Sequence, residues 1–399
     1  MISFLQTPDI QTTNNINSCY GINAVTLTGI TQSGLRYKLE VLTEDETTLY
    51  GSLIITPNQF GNGVVDIQHI LQTLIKPSEF EIELTSQITD SFNETKPYKV
   101  KGYIVDINDI PVEDEEITSD ELIVTGGKKD AWTIGYTIPT GALSDWIVTK
   151  NSNSLTYKPT IPAGTQVKVI DVYAAEYRTL SYYNNFTTYN LYAYDEDGVQ
   201  LNTATFSNTE TAAVYPNIFR TIASGPNNTS IKFNLPAGTA FYYLNVGNDW
   251  WRFNIKDIQC NDFDLYQVSW LNSYGFRDYY TFSKRDDVRK TITRNSYLQS
   301  VVDYNFIYLD TQKGSRGQTI YSQTIDQEYT IRTDFLDDKE SEYLSSLIES
   351  PDVRVYIKGQ WYQVLPTTNE WRLQRYRTDK MFQLEYSFRI ANGINSQRG

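Results

Sequence analysis

The stretch Leu35-Arg36-Tyr37-Lys38-Leu39-Glu40-Val41 alternates apolar and polar side chains strictly, which marks a strand with one buried face. A second strand is expected from Leu49 to Thr56, stopped by Pro57-Asn58, and Gly61-Asn62-Gly63 then turns the chain. A short helix should follow. Ile67, Ile70, Leu71, Leu74 and Ile75 recur at helical spacing on one face, Asp66 is placed to cap the N-terminus, and Pro77 ends the run. Phe80 to Leu84 and Tyr98 to Ile107 return to strand patterning. Residues 1–108 therefore read as a first β-domain with one short helix.

Residues 109–120 hold Pro111 and the acidic run Glu113-Asp114-Glu115-Glu116, and read as a solvated linker. From 121 to 257, short strands alternate with turn clusters, among them Ile161-Pro162-Ala163-Gly164 and Leu235-Pro236-Ala237-Gly238. Asn190 to Tyr194, Asp195-Glu196-Asp197-Gly198 and Val199-Gln200-Leu201 predict a hairpin closed by an Asp-Gly turn. This spacing suits a β-sandwich or jelly roll. In residues 258–399, Asp337 and Glu340 stand in capping-box positions, with Leu344, Leu347 and Ile348 as the buried stripe and Pro351 beyond the end. Val353 to Ile357 is a strand, and Phe382 to Ile390 alternates through nine residues. The expected fold is mainly β: three consecutive β-sandwich-like domains, with one short helix in the first and one in the last.

Charge changes the picture. The net charge is −14, and residues 1–257 hold 29 acidic against 16 basic side chains, while residues 258–399 hold 19 against 18. The acidic first two thirds should repel nucleic acid and anionic membranes. The chain has 31 Tyr, residues that bury a large ring while keeping a polar tip, and so suit half-buried strands and interfaces. Two cysteines, Cys19 and Cys260, exclude a disulfide-stapled scaffold. The N-terminus has no basic region ahead of an apolar run, so a secretory signal is not expected, and no apolar run is long enough for a membrane helix.

The candidate chemistry is sparse. The single His69 falls off the apolar face of its helix, and no Gly-x-Ser-x-Gly elbow accompanies it, which argues against a Ser-His-Asp hydrolase. One His and two distant Cys do not make a zinc site, and Gly61-Asn62-Gly63 lacks the third Gly and the Lys of a phosphate loop. No catalytic residue, metal or cofactor is therefore assigned. Asp195 and Asp197 beside Trp250 and Trp251 would suit glycan contact, or a hairpin tip near core aromatics. Arg277, Lys284, Arg285, Arg289, Lys290 and Arg294 form one basic cluster, and Arg372, Arg375, Arg377 and Lys380 another. Set against the acidic remainder of the chain, a basic face that meets a neighbouring copy is favoured over DNA contact.

Two stretches carry a family likeness: Gly61 to Leu74, and Trp270-Leu271-Asn272-Ser273-Tyr274-Gly275 running into Asp278-Tyr279-Tyr280-Thr281-Phe282. Their layout resembles structural proteins of tailed phages that infect Bacteroidetes and marine bacteria, including the crAss-like podoviruses. The resemblance covers the first and third segments. It implies a virion component of the tail or portal-to-tail neck, made in the host bacterial cytoplasm. Its partners would be copies of itself in a ring and other tail or neck proteins, with no specific nucleic-acid or membrane binding. It assigns Trp270, Leu271, Asn272, Gly275, Asp278 and Phe282 a structural or assembly role. By themselves these residues read as a core-anchoring hairpin, with Asn272 to Gly275 as its turn. The alternative reading is a carbohydrate-binding, receptor-recognition or capsid-decorating protein using the middle β-domain, with a polysaccharide depolymerase behind it.

Overall fold

The computed structural model describes residues 2–8, 16–19, 23–32, 34–75, 88–90, 95–127, 141–183, 188–207, 219–256, 264–284, 286–298, 302–304, 309–311, 318–368, 383–391 and 395–398. The protein is mainly β. It forms two compact units, one of Met1–Ile258 with Trp270–Tyr279 and the other of Gln259–Ser269 with Tyr280–Gly399.

The first unit begins with two sheets around one core. A three-stranded sheet orders Ser3–Gln6, Ala24–Thr28 and Gly63–Asp66. A larger one orders Ile16–Ser18, Leu122–Thr125, Thr95–Val105, Arg36–Leu42 and Leu49–Ile55. The alternation of Arg36–Leu42 sends Tyr37, Leu39 and Val41 inward, where they join Val25, Leu27, Tyr98 and Val100 in one cluster. Each such side chain contributes about 1.5–3 kcal/mol by leaving water. The buried Tyr37 hydroxyl is satisfied, donating to the Gly61 carbonyl at 2.6 Å and accepting from Ile30 N at 3.0 Å.

The expected helix spans Gln68–Leu74 and buries Leu71 and Leu74, with Ile67 buried at its N-cap. Asp66 lies one residue before the cap. Its carboxylate accepts from Gln68 N at 2.9 Å and Asn23 N at 3.0 Å, so it holds the entry turn rather than capping the helix. His69 is exposed, as its place off the stripe predicts.

Pairing crosses the segment boundaries that patterning suggested. Residues 109–120, read as a linker, carry the strand Pro111–Thr118, paired antiparallel with Thr95–Val105. Ile117 packs on the core at an alternate position of that strand, a signal that the surrounding charge concealed. Leu122–Thr125 pairs with Thr95–Val105 and, in parallel, with Ile16–Ser18. Ile88–Asp90 pairs with Phe219–Ala223, far along the chain. Local patterning reports which residues form strands, not which strands they meet.

The rest of the first unit is a second pair of sheets. One orders Gly141–Ala142, Thr179–Tyr183, Phe219–Ala223 and Ile88–Asp90. The other orders Thr149–Asn151, Gln166–Tyr173, Asp249–Lys256, Phe241–Val246, Thr188–Tyr194 and Gln200–Ser207. Trp251 Nε1 donates to the Tyr182 hydroxyl and so joins them. The predicted hairpin forms between Thr188–Tyr194 and Gln200–Ser207, with the Asp195 carboxylate accepting from Val199 N at 2.7 Å and Gly198 at φ 79°. A single helical turn at Thr229–Lys232 was not expected.

The larger sheet of the second unit is ordered Arg277–Phe282, Tyr266–Leu271, Val353–Ile357, Gln360–Pro366, Glu385–Ile390, Gln318–Arg332 and Asp286–Leu298, and a two-stranded one pairs Val302–Tyr304 with Leu309–Thr311. Asn395–Arg398 pairs on Gln318–Arg332. The hairpin of the first two strands is divided between the units, with Trp270–Tyr279 counted in the first. The helix Asp338–Glu349 opens with the predicted capping box, Glu340 N donating to Asp337 at 2.7 Å and Asp337 N to Glu340 at 3.1 Å. Its buried face is Ser341, Tyr343, Leu344 and Leu347, with Ile348 only half-buried. The strand expected from Phe382 to Ile390 spans Glu385–Ile390 among the described residues. The expected strand at 80–84 lies outside the described residues.

Candidate functional site

Asn272, at the hairpin tip in the first unit, closes its own turn. Its side-chain oxygen accepts from Tyr274 N and Phe276 N, each at 3.0 Å, while Gly275 sits at φ 86°. A Cβ on Gly275 would stand 2.4 Å from the Gly126 carbonyl carbon and 2.5 Å from Gly127 N, so only glycine lets the tip lie this close to that backbone. Asn272 Nδ2 donates to the Leu143 carbonyl at 2.8 Å and to Asp278 at 3.2 Å.

Asp278 is the centre of this arrangement. It is 3% exposed and accepts from the Ser144 hydroxyl at 2.6 Å and from Asp145 N at 2.9 Å. The Asp145 carboxylate in turn accepts from Ser273 N at 2.9 Å and from the Ser273 hydroxyl. Burial, and then the nearby Asp145 carboxylate, push Asp278 up to about 7. Tyr274 is raised as well, by burial first and then by Asp145 and Asp278. One residue on, the Tyr279 carbonyl accepts from buried Arg178 at 3.0 Å, and its hydroxyl bonds Thr179 at 2.8 Å. Glu176, also buried, lies 3.7 Å from Arg178. Ser144 and Asp145 were not singled out from sequence; they lie 133–134 positions from Asp278 and carry no local signal.

The structure thus brings Asn272, Gly275 and Asp278 together. Trp270 and Leu271 are buried beside them in sequence. Phe282, counted with the second unit, is fully buried there, edge-on to Tyr280 at 5.3 Å and stacked on Tyr386 at 6.2 Å. All six motif residues are buried.

The proposed glycan contacts take a different place. Trp251 is fully buried and stacked on Phe253, and Trp250 is buried among Leu155, Val167, Tyr194 and Phe241. Neither indole offers a face to a sugar. Asp195 closes its own hairpin turn and Asp197 is exposed beside it. The four residues do not converge on a site. A surface cleft of about 550 Å³ lies between Ile30, Arg36, Pro57 and Ile107, but Arg36 is already paired with Asp109 at 2.9 Å.

The most exposed built feature belongs to the second unit. Asp286–Leu298 and Gln318–Arg332 pair through thirteen residues of the first as a long ribbon. At ~3.4 Å per residue, that is roughly 44 Å of strand. Every residue from Val288 to Leu298 is exposed, including Val288, Ile292, Tyr297 and Leu298. Asp286–Leu298 ends its sheet, so its outer edge has no partner among the described residues. Of the basic cluster, Arg289, Lys290 and Arg294 lie exposed on this strand, while Arg277 is buried. Arg285 and the cluster at Arg372, Arg375, Arg377 and Lys380 lie outside the described residues.

No family model matches this chain, and no curated protein matches it. Among solved structures, one described as structural insight into host cell surface retention of a 1.5-MDa bacterial ice-binding adhesin is similar at 8% identity with a TM-score of 0.17, covering 82% of this chain and 91% of the other. A marsupial T cell receptor is similar at 10% identity with a TM-score of 0.19, covering 82% and 95%. Likeness at this level carries no argument about function.

Proposed function

We propose that this chain is a structural protein of a tailed-phage virion, a ring-forming component of the tail or portal-to-tail connector that acts by self-assembly and docking and not by catalysis. The observation that carries the assembly reading is the ribbon of Asp286–Leu298 and Gln318–Arg332. It presents a long strand edge that has no partner among the described residues, with Val288, Ile292, Tyr297 and Leu298 exposed. An edge of this length with exposed apolar side chains is a template for pairing with another chain, and the Arg289, Lys290 and Arg294 charges on the same strand restrict which partners it accepts. The placement in a virion rests on the resemblance of Gly61 to Leu74 and Trp270 to Phe282. The buried polar anchor around Asp278 fits that reading, because it fixes the hairpin tip rigidly. Light scattering with negative-stain imaging across a concentration series tests the proposal. Closed rings are expected. A chain that remains monomeric at every concentration overturns it, and a compact trimer points to a receptor-binding protein instead.

A further inference from the structure

We propose that Lys168 and Asp249 join in a side-chain amide, a self-formed covalent cross-link between two strands of the first unit. Those strands, Gln166–Tyr173 and Asp249–Lys256, pair in parallel, with Lys168 opposite Trp251. Cross-strand neighbours share a face, and so do residues two apart on one strand, so Lys168, Trp251 and Asp249 stand on one face of the sheet. Lys168 Nζ lies 3.6 Å from Asp249 Oδ1 and 4.6 Å from the centre of the Trp251 ring. The carboxylate is also held from another strand. Its Oδ2 accepts from Ala142 N at 3.1 Å, and a Cβ on Gly141 would stand 2.7 Å from that oxygen, so glycine lets the Gly141–Ala142 backbone come this close.

These positions give each atom of an amide-forming step its place. Burial lowers the Lys168 amine, against the opposing pull of the Asp249 and Asp278 carboxylates, and so enlarges its neutral, nucleophilic share. One ammonium proton passes to Asp249 Oδ1, leaving a free amine beside a carboxylic acid. Nζ then attacks Cγ, and the charge that develops on Oδ2 meets the Ala142 N–H. A second proton moves from Nζ to the departing Oδ1 hydroxyl, the Cγ–Oδ1 bond breaks, and one water leaves. Ammonium and carboxylate become one amide and one water, with no oxidant, reductant or co-reactant. The paired strands hold the two groups together, so the step is intramolecular. At 23% and 33% exposure the side chains are shielded, yet open enough to release the water. The bond would close a loop of chain that contains the hairpin of Thr188–Tyr194 and Gln200–Ser207, and would restrict the unfolded chain as a disulfide does.

Intact-mass spectrometry of the full-length protein, folded and incubated at neutral pH before denaturation, reads the outcome. The wild type should be one water lighter than its sequence, and a tryptic digest should hold a branched peptide joining the segments of Lys168 and Asp249. Lys168→Arg keeps the positive charge and should have the full mass of its sequence, as should Asp249→Ala. Asp249→Asn should lose ammonia in place of water, the same bond forming with a different leaving group. A wild type of full sequence mass with no branched peptide overturns the proposal and leaves the two residues a non-covalent ion pair. A water deficit that persists in Lys168→Arg also overturns it and assigns the loss to a cyclic imide at another position. Should the variants fail to fold, the wild-type mass and the branched peptide decide the question by themselves.

Discussion

Asp278→Asn should remove most of the chain's dependence of stability on pH between 5 and 8. The carboxyl is raised from its ordinary 3.8 to about 7, first by burial and then by Asp145. Above pH ~4 the unfolded chain has released this proton while the folded chain still holds it. The stabilisation is therefore complete below the unfolded value and is lost as pH rises through about 7. A tenfold change in proton affinity is worth ~1.4 kcal/mol, so a rise of this size amounts to a loss of roughly 4 kcal/mol. Asp45 and Asp106 act in the opposite direction. Hydrogen bonds to Thr43 and to Ile110 N lower them, so their contribution is already in place by about pH 5 and does not mask the effect.

Asparagine preserves the geometry of the site. Its oxygen can accept from Asp145 N and Asn272 Nδ2 where the carboxylate does now, and its amide can donate to the Ser144 hydroxyl. Urea unfolding followed by tryptophan fluorescence at steps from pH 5 to pH 8 reads the outcome. Wild type should lose a few kcal/mol over that range. The variant should stay nearly level and be the more stable of the two at pH 8. A wild type that is flat or gains stability over this range, or a variant with the wild-type slope, refutes the reasoning.

Gly275→Ala should lower the melting temperature sharply, by more than ~2 kcal/mol of stability, because it combines a positive φ with a clash against backbone at 2.4 Å; a thermal melt checks it. Asp337→Ala removes the capping box of Asp338–Glu349 and should cost about 1 kcal/mol in a denaturant titration. Trp251→Ala should cost about 3–5 kcal/mol, as expected for a fully buried indole, and leave any glycan-array signal no lower than the loss of folded protein accounts for. Cys19 is buried, and burial pushes its thiol up to about 12, so in a Cys260→Ser background Ellman's reagent should react only after unfolding.

Element identity was largely legible because it depends on neighbours in sequence. The alternation in Arg36–Leu42, the Asp-Gly hairpin and the Asp337–Glu340 box each became the predicted structure. What patterning could not supply was partnership. Pro111–Thr118 reads as acidic linker until Thr95–Val105 is beside it, and Ile88–Asp90 has no sequence cue pointing to Phe219–Ala223. The same limit divides the site. Asn272, Gly275 and Asp278 stand close in the chain and were found together. Ser144 and Asp145, which complete the carboxyl's environment, arrive from another loop. Trp250 and Trp251 show the converse: adjacent aromatics suit a sugar platform or a core equally, and burial is settled by the sheets on either side.

The ribbon turns on a balance of the same kind. Its residues have ordinary strand propensities, Val288, Thr291, Ile292 and Thr293 among them, and nothing in them says whether a face is covered. In the folded chain Gln318–Arg332 has partners on both edges, Asp286–Leu298 on one and Glu385–Ile390 with Asn395–Arg398 on the other. Among the described residues, Asp286–Leu298 has a partner on one edge alone. From Val288 onward it buries no side chain fully, so its order rests on backbone pairing and a few contacts such as Tyr297 with Tyr321 at 6.2 Å. Gln318–Arg332 is backed by Glu385–Ile390 and Asn395–Arg398, whereas Asp286–Leu298 is an edge strand whose own side chains add little burial. Thirteen ordered residues cost conformational entropy that such contacts offset poorly. A strand added along the open edge by a neighbouring copy would give its outward backbone groups partners, so amide exchange along Asp286–Leu298 should slow markedly between the dilute and the assembled protein, and equal exchange in both states would argue that the edge stays open.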